Sequence, residues 1–200
     1  MKQLLNLKLL ILSAILFTFS ATYAQTADKG KIGFTYSLNG GTNVLQPALM
    51  GAASHTVTDA SGIGLIYLRP INHWLELETG MNYSLYKITT TSAPTPQVTT
   101  SNSTLSLIDI PIGVRAGFWK YFFANSGLLL DLDLMSNSHV DSQNGIGLML
   151  GVGIKYDFKF GGSIFANPYG KIHSLLPFGF EKYHERILES GWKFGFTYKL

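Results

Sequence analysis

The 200-residue chain has no cysteine, so no disulfide can staple it, and stability must come from burial or from a closed hydrogen-bond network. Charge is scarce too. Asp, Glu, Lys and Arg make up 14% of the residues, where about a quarter is usual in soluble domains. Beyond the first two dozen residues no apolar run approaches the roughly 18 residues that a transmembrane helix needs. These absences exclude a disulfide scaffold and a helical membrane protein. What remains is 46% hydrophobic and 13% aromatic, with 21 glycines. A chain this poor in charge, with no spanning helix, is suited to the other structure a bilayer tolerates, a closed β-barrel whose backbone polar groups pair between strands.

The first two dozen residues read as a cleaved export signal. Met1 to Lys8 is a short basic region, Leu9–Ser20 is apolar, and Thr22-Tyr23-Ala24 places small residues for a cut before Gln25. The expected domains are therefore a signal peptide at 1–24 and a single barrel domain at 25–200, exported through the Sec pathway. Lys2 and Lys8 leave with the signal and no acid does, so the formal charge of +3 falls to +1. That balance gives no reason to expect a nucleic-acid partner.

The mature chain alternates with period two, as strands with one apolar face do. Ile146, Leu148, Leu150, Val152, Ile154, Tyr156 and Phe158 share one face, opposite Gly145, Gly147, Met149, Gly151, Gly153, Lys155 and Asp157. The same pattern recurs in Lys31–Asn39, around Ile63–Tyr67, in Trp74–Tyr86, Ile108–Phe118, Asn125–Leu134 and Ile187–Leu200. Ser163–Leu175 is the least regular, and Pro168 predicts a bulge or break there. The connections alternate between long (40–61, 87–103), short (69–73, 119–120), medium (136–144), short (159–162) and long (176–188). Thr89–Asn102, rich in Thr, Ser and Pro, reads as a solvated loop. The fold expected is an all-β, up-and-down antiparallel transmembrane barrel of about eight strands with both termini periplasmic. A soluble lipocalin-like barrel would point its apolar face inward. Here the opposite face is mainly Gly, Ser, Asn and charge, which cannot line an apolar cavity.

The final segment, Lys193-Phe194-Gly195-Phe196-Thr197-Tyr198-Lys199-Leu200, resembles the assembly signal of outer-membrane barrels, carried here by Lys193, Gly195, Tyr198 and Leu200. Leu200 stands where Phe or Trp is usual. Together with the "apolar-x-Ile-Pro" opening of Ile108-Asp109-Ile110-Pro111-Ile112-Gly113-Val114-Arg115, the chain resembles the small PorT-like outer-membrane barrels, similar in architecture to OmpX and the barrel of OmpA. That resemblance implies an integral protein of a Gram-negative outer membrane, with the barrel-assembly machinery and membrane lipids as partners. It implies a scaffold rather than an activity.

On the predicted lumen face, Lys31, Arg115, Lys155, Lys171, Lys193 and Lys199 oppose Glu76, Glu78, Asp109, Asp131, Asp133 and Asp157. An eight-stranded barrel is just wide enough for side chains to fill it, and buried ions must pair. A salt-bridged plug is expected, with Lys31 and Lys199 near a solvated rim; a narrow ion pathway is the other reading of such charge. His55, His73, His139, His173 and His184 show no metal-site spacing. No cofactor is expected. His173 and Ser174 are adjacent, so a regular strand would turn them to opposite faces and prevent a Ser–His pair. Tyr67, Trp74, Trp119, Tyr121, Tyr156, Trp192 and Tyr198, near strand ends, read as interfacial girdles. The leading expectation is a monomeric, non-enzymatic barrel with a closed lumen and external loops in a structural, adhesive or interaction role. A small pore or secretion accessory is second, and a lipid-modifying enzyme third.

Overall fold

The computed structural model describes residues 29–45, 53–92, 97–134, 140–179 and 184–200. The proposed signal, its cut before Gln25, and His139 lie outside them. The strands are β1 (Lys31–Asn39), β2 (Asn43–Leu45), β3 (Ser54–Pro70), β4 (Leu75–Thr91), β5 (Thr100–Phe118), β6 (Phe122–Asp133), β7 (Gly145–Asp157), β8 (Gly162–Pro177) and β9 (Arg186–Lys199). Each long strand pairs antiparallel with the next, and β1 pairs with β9 to close the ring. Closure leaves none of the long strands as a free edge. β2 resumes the line of β1 after Gly40–Thr42 and pairs with β9 at Leu188 to Arg186. The barrel therefore has eight staves, one of them interrupted.

Short turns mark one end, at 71–74, 119–121 and 158–161. In the first, the Asn72 side-chain oxygen accepts from the backbone N–H groups of Trp74 (3.0 Å) and Leu75 (2.8 Å). In the third, Gly161 takes φ +92°, a left-handed conformation open to glycine. The long connections all lie at the other end, called the loop end below.

Bulky apolar side chains face outward: Phe34 is 70% exposed and Leu150 64%. On β7 the outward set from Ile146 to Tyr156 covers about 34 Å of strand at about 3.4 Å per residue. Tilted by about 40°, that is roughly 26 Å of height, close to the apolar band of outer-membrane barrels. Tyr121 stacks on Tyr156, and Trp119 packs edge-on to Phe118 and Phe122, giving the turn end an aromatic collar.

The polarity of the sheet inverts near the loop end. Apart from Thr79, outward residues of β4 are apolar through Leu85, after which Lys87 bonds Asp59 across the strands (2.9 Å) in the open. In the same rows the inward positions change from Ser84 to Tyr86 and Ile88. These two pack with Ala60, Leu105, Leu107, Val140 and Ile187 in a buried apolar cluster. Below the Ser61–Leu85–Ser106 row the sheet is apolar outside; above it the apolar face is inside. The change reads as a passage from hydrocarbon to water, because the apolar face follows whichever side is dry.

Two expectations are corrected. Among the described residues, the loops expected at 40–61 and 87–103 are largely strand: β2, the first half of β3, the end of β4 and the start of β5. Thr89, Thr90 and Thr91 pair with Asn102, Ser101 and Thr100, and β-branched threonine suits a pleated surface even where it is polar. Pro168 breaks the ladder to β7 locally, as expected, without shifting its register; it pairs with Trp192 of β9 but with no residue of β7. Turned so that its nitrogen meets the Val152 carbonyl at 2.7 Å, the Asn167 amide supplies a donor where proline has none. A second irregularity lies further on. The β7–β8 register shifts between Ile146 and Leu148, opposite Ser174, whose φ is +48°.

Candidate functional site

The candidate site is the column of polar side chains inside the barrel. Alternation supplies it: each strand sends every second residue inward, and the inward residues stack in layers from the turn end to the loop end.

The first layer is the solvated mouth. Lys31 bonds Glu76 (2.8 Å), and Lys155 lies 3.5 Å from Asp157, which also accepts from Ser163. All are partly exposed.

The second layer is dry. Arg115 donates through Nε to Glu78 (2.9 Å), both at most 2% exposed. Its guanidinium lies 4.3 Å from the centroid of the Phe123 ring and 4.7 Å from that of Phe165. Two inward glycines make room for those rings. A Cβ on Gly153 would come within 2.4 Å of Phe123, and one on Gly195 within 2.3 Å of Phe165.

Above it the Asn125 amide donates to Glu78 (3.3 Å) and lies 3.2 Å from the Asn167 amide. Lys193 points in beside them, with its ammonium 5.2 Å from the Tyr169 ring centroid. Asp109 is then clamped between Asn82 (2.7 Å) and Lys171 (2.8 Å).

The top layer centres on Glu189, a wholly buried carboxylate that accepts from Tyr86 and Tyr169 and lies 3.9 Å from Lys171. His173 bridges Glu189 (3.2 Å) and Asp131 (2.9 Å), and Asp131 also accepts from the backbone N–H of Ser174 (2.9 Å).

Glu78, Asp109, Arg115, Asp131, Lys171 and Lys193 thus lie within the column. Glu76, Lys155 and Asp157 sit at its mouth instead. Asp133 sits at the loop-end rim, where it accepts from the backbone N–H of Gln143 (3.3 Å). The expected pairing was drawn too widely, because strand ends emerge from the barrel even when their side chains keep the inward parity.

Two central members escaped the sequence reading. Glu189 shares the parity of Lys193, and carrying the pattern of the last strand four residues back would have found it. His173 and Ser174 were expected on opposite faces. Both are wholly buried and face inward, since the left-handed φ at Ser174 undoes the alternation.

That architecture is already known in a bacterial outer membrane. The outer-membrane protein OprG from Pseudomonas aeruginosa aligns over 87% of this chain and 97% of its own, at 13% identity and a TM-score of 0.52. The outer-membrane protein AlkL (9% identity, 90% and 95% covered, TM-score 0.47) aligns more loosely. So does the β domain of the Bordetella autotransporter BrkA (14%, 86% and 100%, TM-score 0.33). No protein-family model matches the chain, and no curated protein does. At 13% identity the likeness to OprG is one of fold.

Ser174 Oγ lies 2.9 Å from His184 Nε2, within the reach that activates a serine. Yet Ser174 is wholly buried, and its own N–H is committed to the Asp131 carboxylate. The contact ties Ser174, at the β7–β8 register shift, to the segment that precedes β9.

Proposed function

We propose that the protein is an integral outer-membrane barrel with a closed lumen, acting through the β-sheet and loops that rise beyond the membrane. In this reading it is exported by its leader and assembled through Lys193, Gly195, Tyr198 and Leu200. It is monomeric and non-enzymatic, has both termini in the periplasm, and is related to the PorT-like barrels. Its role is structural, adhesive or one of interaction with an external partner.

One observation carries the reading: among the described residues, the lumen-facing side chains between the mouth and the loop end are buried. Glu78, Asp109, Asp131, Lys171, His173 and Glu189 are each at most 2% exposed, and Tyr86, Ile88, Leu105, Leu107 and Ile187 above them are at most 1%. A conducting lumen would leave its polar lining wet. Here the carboxylates have side-chain partners, and a buried apolar cluster lies beyond them toward the loop end. The assembly segment also fits its place. Gly195 admits the Phe165 ring, while Tyr198 is half exposed on the outer face.

Swelling of proteoliposomes in small sugars tests the closure. The refolded protein should leave vesicles as tight as empty ones. Swelling that scales with protein content would replace the closed scaffold with a pore.

A further inference from the structure

At the turn end the lumen opens into a cavity of about 190 Å³. Its wall carries five cations, Lys29, Lys31, Arg115, Lys155 and Lys199, and one carboxylate, Glu76. Lys31 is taken by Glu76 and Lys155 lies near Asp157, but Lys29 makes no ion pair among the described residues. At the back of the cavity sits Arg115, 2% exposed, with Nε spent on Glu78 and the ring of Phe123 against its guanidinium. Its Nη2 is buried and has no acceptor among the described residues. Native proteins seldom leave a buried donor unmatched, least of all a charged one. The Glu78 bond and the two flanking rings hold the guanidinium in place at the back of the cavity.

We propose that this cavity is a phosphate-type oxyanion site, with Arg115 as the buried donor and the lysines of the rim supplying the field. Guanidinium geometry matches phosphoryl oxygens, and a surplus of cations favours a di- or monoanion over a neutral ligand. The volume is below the 300 Å³ or so of sites for drug-sized molecules, so the bound portion is a group of a few heavy atoms. Two sources share that chemistry: free phosphate in the adjacent compartment, and the headgroup of a phospholipid in the nearby leaflet. The second rests on the membrane placement proposed above and the first does not. Trp74, on the cavity wall, is half exposed and offers a local reporter.

The test uses full-length mature protein folded in maltoside micelles, with Trp119→Phe and Trp192→Phe so that Trp74 alone fluoresces. Inorganic phosphate is titrated at constant ionic strength against chloride. The same protein is then placed in phosphatidylglycerol bilayers and in phosphate-free glycolipid bilayers. A saturable change with phosphate supports a free-ion site, and a change with phosphatidylglycerol alone supports a headgroup site. Arg115→Lys keeps the charge beside Glu78 but deletes the spare nitrogen. Losing one charge-assisted bond should weaken binding by about ten- to a hundredfold. Lys29→Gln with Lys155→Gln leaves the buried column untouched and should weaken binding and flatten its salt dependence, which keeps the test sound if Arg115→Lys fails to fold. No saturable response in any medium, or equal affinity in the parent and both variants, overturns the proposal.

Discussion

Replacing Lys171 with methionine keeps the side chain's length and removes the ammonium that lies 2.8 Å from Asp109 and 3.9 Å from Glu189. At 2.8 Å and an effective dielectric constant of about 20, the Asp109 attraction alone is roughly 6 kcal/mol, from which the desolvation of both ions must be subtracted. Breaking such a pair leaves Asp109, wholly buried, with the Asn82 amide as its side-chain donor. Lys171→Met should therefore cost about 3–5 kcal/mol. Asp109→Asn alone should cost about 2–4 kcal/mol, since Lys171 would then face Glu189 from a distance. The double variant buries no uncompensated ion at this position, and it should lie within about 2 kcal/mol of the parent. The assay is reversible urea unfolding of the protein inserted in lipid vesicles, read by tryptophan fluorescence at low and high salt. Burial predicts a large favourable coupling that salt does not diminish. Single variants that cost under about 1 kcal/mol, or a coupling that salt abolishes, would mean that water reaches the pair and that the lumen is not dry.

Other perturbations probe other layers. Gly195→Val puts a branched side chain where a Cβ already comes within 2.3 Å of the Phe165 ring. Equilibrium unfolding should show a loss of about 1–3 kcal/mol, whereas Thr197→Val, with no ring to displace, should show less. Leu105→Ala opens a cavity in the apolar cluster beyond the membrane rows. It should cost about 2–4 kcal/mol and raise protease cutting within 53–59 and 87–105 while the membrane rows stay protected; uniform protection would place that cluster elsewhere. A cysteine introduced at Lys87 or Asp59, in a chain that has none, should react with an impermeant maleimide on intact cells. Labelling only after the outer membrane is breached would reverse the proposed orientation.

Much of the barrel was legible because a period-two pattern leaves little freedom. Once Leu148 and Leu150 face lipid, Gly147, Met149 and Gly151 must face the lumen, and neighbouring strands follow in register. Legibility ended where one residue broke the period or where the solvent changed. Ser174 broke it: with its φ at +48°, two consecutive residues enter the lumen, so a rule about adjacent side chains failed at the point that positions His173. The solvent changed at Lys87. Polar threonines beyond it look like loop to any reading that expects apolar residues outside, yet Tyr86, Ile88, Leu105 and Leu107 had kept a regular alternation with the faces exchanged. Reading parity and polarity separately would have extended β4 and β5 to their observed ends. Partner choice within the column was not legible at all. Asp109 meeting Lys171, or Asp131 meeting His173, depends on the stagger between β5, β6 and β8, which no single strand encodes.

The central claim is that the barrel is stoppered by its own side chains, and single-channel recording tests it most directly. Parent protein inserted in a planar bilayer should hold a silent baseline at both polarities, with steady openings absent even at high potassium chloride. The Lys171→Met and Asp109→Asn double variant should stay equally silent, because it removes charge without opening the apolar cluster above. Steady openings in the parent, with an ion selectivity that changes when Asp109 or Lys171 is neutralised, would contradict the account and make the column the lining of a pore.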